Sequence, residues 1–199
     1  MKIFSINKKE DAKFLYIRWR YNMVLETKRL KLRPWEKGDV ERLFELAKEP
    51  HVGPPCGWKP HENLQESSEV LCDILINEYT YAILLKETNE VIGNIALMPY
   101  CESRFARNEK EAELGFWLGY PHWGKGYMPE ACERLIEYGF ADVDLERIWC
   151  AHNLDNYNSM RVQVKCGFEF HHEDEYYARE LDKKIGVKVN CIKRKSEDK

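Results

Sequence analysis

The stretch best equipped for chemistry lies between residues 112 and 141. An apolar run, Ala112 to Leu118, leads into a glycine-rich turn, and Trp123-Gly124-Lys125-Gly126-Tyr127-Met128-Pro129-Glu130 opens directly into a helical pattern. Met128, Ala131, Cys132, Leu135, Ile136, Gly139 and Phe140 recur every three to four residues and mark a buried helix face. A strand, a glycine turn and a helix start together make an anion site, because the first N–H groups of a helix lack intrahelical partners and that end is positive. Gly124 and Gly126 let backbone approach phosphate oxygens; the plainer reading is a tight connection. A dinucleotide fingerprint fails, since Pro129 stands where its third glycine belongs. The nucleoside-triphosphate pattern fails too, because Lys125 lies between the glycines and no Ser or Thr follows it.

Three stretches in register resemble the GNAT superfamily of acetyl-CoA-dependent N-acetyltransferases, in the branch of the ribosomal-protein N-terminal acetyltransferases. They are Glu26-Thr27-Lys28-Arg29-Leu30-Lys31-Leu32-Arg33-Pro34-Trp35, the loop Trp123 to Met128, and Asn156-Tyr157-Asn158-Ser159 followed by Val162 and Lys165-Cys166-Gly167-Phe168. The resemblance covers residues 25–193. It implies a mixed α/β (α+β) domain: a mostly antiparallel twisted sheet, flanked by helices, whose middle strands splay to form a cofactor cleft. The loop then holds the pyrophosphate of acetyl-CoA through the backbone of Trp123, Gly124, Lys125, Gly126, Tyr127 and Met128. Phe116, Trp117 and Leu118 match the strand whose backbone binds the pantetheine arm and supports the oxyanion. Three positions depart from the wider pattern: Trp123 replaces Gln or Arg, Met128 replaces Gly or Ala, and Gln163 stands where many members carry a tyrosine acid.

Moving an acetyl group from a thioester to an amine needs a base, since amines of pKa roughly 8 to above 10 are largely charged at neutral pH. It also needs positioning, oxyanion donors and help for the departing thiolate. Glu113 is the candidate base, directly or through water, with Glu111 as its rival. Strand alternation sets Glu113 on the face of Gly115 and Trp117, opposite Ala112, Leu114 and Phe116, and a carboxylate beside Trp117 has its pKa raised by desolvation. Its plain alternative is a surface glutamate on the outer face of a sheet. With Gln163 unable to donate a proton usefully, Ser159 becomes the candidate partner of the sulfur and Asn156 a cofactor contact. Helix capping explains both equally simply. The acceptor pocket is expected near Trp58, the start of the second helix, Tyr79, Tyr81, Tyr100 and Tyr176-Tyr177. The acceptor is a protein N-terminal α-amine or a small amine. The rival reading is a non-catalytic acyl-CoA sensor or interaction module.

The elements that must position these residues follow from periodicity. Residues 1–24 form an extension of open role, in which Arg18 and Arg20 alternate with Ile17, Trp19 and Tyr21 like a short strand. The acetyltransferase domain spans 25–193 and a polar tail 194–199. Leu30 and Leu32 alternate with charges in a strand; Asp39 caps a helix carrying Val40, Leu43, Phe44 and Ala47; a second helix over 64–78 presents Leu64, Ser67, Val70, Leu71, Ile74 and Leu75. Strands follow over 79–85, 91–98 and 112–118. Beyond the glycine turn come a helix, a strand over 147–152, a helix over 156–165 closed by Gly167, and a pair of strands over 168–177 and 187–193.

The 199 residues suit one domain, and a net charge of -3 gives no pull toward nucleic acid. No apolar run spans a bilayer, and Lys8, Lys9, Glu10, Asp11 and Lys13 exclude a secretory signal. Seven cysteines without CxxC spacing read as reduced thiols of a cytoplasmic protein, with no metal site. A homodimer is left open.

Overall fold

A computed structural model describes residues 23–195. The expected strand around Arg18 and Arg20 lies outside the described residues. Eight strands form one sheet in the order β1-β2-β3-β4-β5-β6-β8-β7. These are β1 (Leu25–Glu26), β2 (Leu30–Pro34), β3 (Thr80–Leu85), β4 (Val91–Pro99), β5 (Glu111–Leu118), β6 (Arg147–Asn153), β7 (Glu169–Ala178) and β8 (Lys183–Lys193). Every neighbouring pair is antiparallel except β5 and β6, which run parallel and pair at only three positions, ending at Glu113↔Trp149. Past that point the two strands separate, dividing the sheet into an arm of β1–β5 and an arm of β6–β8.

The sequence alternation decides what each face carries. Leu30, Leu32, Ile95, Leu97 and Leu114 meet the stripe Met128, Ala131, Cys132 and Leu135 of helix α3 (Tyr127–Ala141) in the main core. On the opposite face, Leu43, Leu46 and Ala47 of α1 (Val40–Ala47) join Leu71 and Leu75 against Trp35, Ala82 and Leu84. A third cluster, Phe105, Trp149, Ile185, Val187 and Val189, holds the second arm together. Burying a side chain such as Leu135 completely stabilises the fold by about 1.5–3 kcal/mol.

The second helix is shorter than its pattern predicts. α2 (Leu64–Val70) passes into a π turn at Leu71–Leu75. The wider turn keeps Leu71 and Leu75 inward but rotates Ile74 out to 59 % exposure, and Leu64 is also exposed. Asp39 does precede α1, but its carboxylate does not cap the helix. It is taken by Arg33 at 2.7 Å and by the Glu36 amide at 2.9 Å. The closing hairpin extends further than the apolar residues indicated, because β8 begins in the exposed Lys183-Lys184 pair before Ile185 turns inward. α4 (Tyr157–Lys165) ends at Gly167, as expected, where the Phe168 amide reaches back to the Gln163 carbonyl at 3.0 Å. Among the described residues, no helix is long and apolar enough to cross a membrane.

Candidate active site

The separation of β5 from β6 creates the site. The Gly119 amide donates to the Ile92 carbonyl at 2.9 Å, which fixes the alternation of the β4–β5 ladder. Gly115 and Trp117 then bond to β4, and the backbone groups of Leu114, Phe116 and Leu118 point to the other edge. Above Glu113 that edge has no partner strand. Of the three expected backbone positions, Phe116 and Leu118 therefore present amides to the gap. Trp117 does not; it supplies a side chain, set edge-on to Trp58 at 6.1 Å and tilted against Trp35 at 6.4 Å.

The glycine loop sits at one end of this gap. Gly124 and Gly126 have φ of +74° and +76°, a left-handed backbone that costs a side-chain-bearing residue about 1–2 kcal/mol. A Cβ built on Gly124 meets nothing within 4 Å, so conformation, not crowding, selects glycine there. Among the described residues, no protein acceptor takes the amides of Gly124, Lys125, Gly126, Tyr127 or Met128. The Trp123 amide is already used by the Tyr120 carbonyl at 3.2 Å, and the Trp123 indole donates to the Leu118 carbonyl at 2.6 Å. The free amides thus start one residue later than the resemblance implied. Met128 turns into the core at 5 % exposure, leaving the loop uncrowded.

A pin unseen in the sequence holds this loop. The Glu130 carboxylate accepts from the Thr27 hydroxyl (2.6 Å), the Arg29 amide (2.8 Å) and the Arg29 Nε (2.6 Å), while Arg29 Nη1 donates to the Lys125 carbonyl at 3.0 Å. The Arg29 guanidinium also covers the Tyr127 ring at 4.6 Å. Burial pushes the Glu130 carboxyl upward, but the bonds from Thr27 and Arg29 outweigh it and hold its pKa below the usual range.

Glu113 lines the cavity at the point where the strands part. Its Oε2 accepts from the Ser103 hydroxyl at 2.8 Å and the Arg104 amide at 2.9 Å. Burial raises its pKa above the ordinary carboxylate value, against the opposing pull of those bonds. Glu111 is committed elsewhere: it accepts from the Trp149 indole at 2.8 Å and the Arg107 amide at 3.0 Å, and does not line this cavity.

Across the gap, Asn156 Oδ1 accepts from the Ser159 amide at 3.0 Å, so Asn156 is a helix cap. Its Nδ2 donates to the Pro55 carbonyl at 3.2 Å, and Asn153 Nδ2 donates to the same oxygen at 2.9 Å. Gln163 is almost fully buried. Its Nε2 donates to the Ala151 carbonyl (3.2 Å) and to Ser159 Oγ (3.1 Å), and its Oε1 accepts from Asn190 at 2.6 Å. Ser159 receives a hydrogen bond from Gln163 and keeps its own proton available to the cavity it lines.

The cavity has a volume of about 890 Å³, large for a single small-ligand pocket. Trp58, Tyr79 and Tyr176 line its far half as anticipated. Tyr81 does not, being fully buried in the core, and Tyr100 and Tyr177 are about half exposed and point elsewhere. His152 lines the cavity with Nδ1 at 2.9 Å from the Asn153 carbonyl, whereas His171 and His172 lie outside it beside Trp149. Among the described residues, no cluster of His, Cys, Asp or Glu is arranged to hold a metal, and all seven cysteines are unpaired thiols.

A parted parallel strand pair, a glycine turn with free amides and a half-buried carboxylate thus meet at one cleft. The profile of the "Acetyltransferase (GNAT) domain" family matches residues 29–169, and the chain belongs to that acetyltransferase family, whose members use acetyl-CoA as donor. It is 30% identical over 152 residues to an "Uncharacterized N-acetyltransferase p20" of Bacillus licheniformis, covering 73% of this chain and 82% of the relative. It is 28% identical over 98 residues to the "Ribosomal-protein-serine acetyltransferase" of Escherichia coli (strain K12), covering 48% of this chain and 52% of that protein. The fold matches "Mycobacterium smegmatis RimJ in complex with CoA-disulfide" with a TM-score of 0.72 at 14% identity, over 90% of this chain and 91% of that one.

Proposed function

We propose that this chain transfers the acetyl group of acetyl-CoA to a primary amine by direct attack of the amine on the thioester. The observation that carries the reading is that Glu113 and Ser159 face one cavity from opposite arms of the sheet, with the free amides of the glycine loop at its end. In this reading the amides of Gly124 to Met128 grip the pyrophosphate, aided by the positive end of α3. Phe116 and Leu118 offer N–H groups along the pantetheine arm, and the Phe116 N–H supports the oxygen that gains charge as nitrogen attacks carbon. Glu113, directly or through water, takes the proton lost by the amine. The C–S bond then breaks, and the Ser159 hydroxyl hydrogen-bonds the departing thiolate, softening its charge without full proton transfer. Membership of a family that uses acetyl-CoA as donor supports the donor side. The reading assigns the transferase domain to residues 25–193.

A second reading, acyl-CoA binding without turnover, draws on Gln163, which is locked among Ser159, Ala151 and Asn190 where a proton-donating tyrosine would stand. Calorimetric titration with acetyl-CoA and a thiol-release assay against an amine panel separate the two. Binding with amine-dependent thiol release supports transfer. Binding with no release on any amine supports the sensor, and no binding refutes both.

A further inference from the structure

The far half of the cavity holds a polar group that the transfer mechanism does not use. His61 lines it at 8 % exposure, just before α2. Its amide donates to the Ala47 carbonyl at 3.2 Å, and its Nδ1 lies 2.8 Å from the hydroxyl of Ser67, a completely buried side chain. The ring is therefore fixed from two sides, and it stands 5.5 Å from the Trp58 ring. Among the described residues nothing bonds its Nε2. That atom is also not sealed off, unlike the orphaned Nδ1 of His122, so the cavity is where it opens. A fixed, nine-tenths buried imidazole with one nitrogen left over implies a ligand that completes it.

The surroundings state what kind. Glu66, Glu102, Glu113 and Glu180 line the same cavity. Of the cations lining it, Arg161 and Lys165 belong to α4, and Arg104 is paired with Asp174 at 3.3 Å and laid over the Tyr176 ring at 4.8 Å. Negative charge between aromatic walls suits an ammonium on an apolar body. Size is limited from above. The loop at residues 53–58 crosses to the second arm, where Pro55 accepts from Asn153 and Asn156, and the Lys59 amide donates to Glu180 at 3.1 Å. The 890 Å³ must also admit the acetyl end of the donor.

Resting on the transfer reading for its location, we propose that this half-cavity takes a small cationic amine with an apolar body, and that His61 is the specificity-determining residue that contacts it. Burial keeps the imidazole pKa below its ordinary value despite Glu66 and Glu180, so the ring meets the amine uncharged.

The test uses the full chain with acetyl-CoA and three acceptors: tyramine, 1,4-diaminobutane and the peptide Ser-Ala-Ala-Ala. Tyramine should exceed the peptide at least tenfold in kcat/KM. His61→Ala should raise the tyramine KM about tenfold with kcat within threefold and acetyl-CoA affinity unchanged. His61→Gln should recover most of the loss, and Ser67→Ala should move KM the same way by less. Unchanged KM in His61→Ala overturns the residue assignment, and preference for the peptide or the diamine overturns the substrate class. If no amine releases thiol, transfer fails separately, and calorimetric titration of tyramine into the coenzyme A-loaded protein reads the site directly. Binding that His61→Ala abolishes upholds the site, and absence of binding overturns it.

Discussion

Glu113→Gln is the most informative substitution, because function and stability should move in opposite directions. A glutamine oxygen can still accept from the Ser103 hydroxyl and the Arg104 amide, so the 2.8 and 2.9 Å bonds survive. What disappears is the charge and with it the proposed base. General-base catalysis contributes roughly 10²–10⁴, so kcat should fall by about 10²–10³ with acetyl-CoA affinity unchanged. Because burial raises the Glu113 pKa, the folded protein binds this proton more tightly than the unfolded chain. Stability therefore falls as pH rises from the ordinary carboxylate pKa to the folded one, and above it the ionised Glu113 is a constant destabilising charge. Each tenfold in proton affinity is worth about 1.4 kcal/mol, which is roughly 3–5 °C of melting temperature in a domain of this size. Glu113→Gln should melt above the parent at pH 8, with the gain shrinking toward pH 4.5. Thiol-release kinetics and thermal melts across that pH range measure both. A variant with kcat within threefold of the parent and no pH-dependent gain would show Glu113 to be an ordinary solvated glutamate and refute the argument.

Three further outcomes follow from the same geometry. Gly126→Ala forces a side chain into φ +76° and should cost about 1–2 kcal/mol, with acetyl-CoA binding weakened about tenfold by calorimetry. Glu130→Ala removes three hydrogen bonds from the pin; with Arg29 42 % exposed, the loss should be about 1–2 kcal/mol in a urea melt, and acetyl-CoA should bind more weakly through a loosened loop. Gln163→Leu leaves the Asn190 amide buried without its acceptor and should lower stability by about 1–3 kcal/mol in the same melt.

What the sequence made legible was what short-range periodicity writes. The α3 stripe lies every three to four residues, and all of Met128, Ala131, Cys132, Leu135, Ile136 and Gly139 are buried. The alternation that set Glu113 with Trp117 holds because a strand has only two faces. Contacts between distant segments left no such mark. Arg29 and Glu130 are 101 residues apart and belong to separate patterns, so the pin that fixes the loop was invisible, although an acid in the first turn of α3 was a faint signal. The same holds for the Pro55 carbonyl, approached by asparagines 98 and 101 residues away. His61 gave no pattern because a hydroxyl on a helix face, Ser67, does not announce that it will meet a ring six residues earlier in the loop. Tyr81 was assigned to the pocket by its type, but strand parity had already turned it into the core.

Asn156 has two ends, and each holds something different. Its oxygen orders the first turn of the helix that presents Ser159, and its nitrogen grips the crossing loop at Pro55. A single amide side chain therefore fastens a helix start to a loop 101 residues away, so that one substitution at Asn156 would release both anchorages at once.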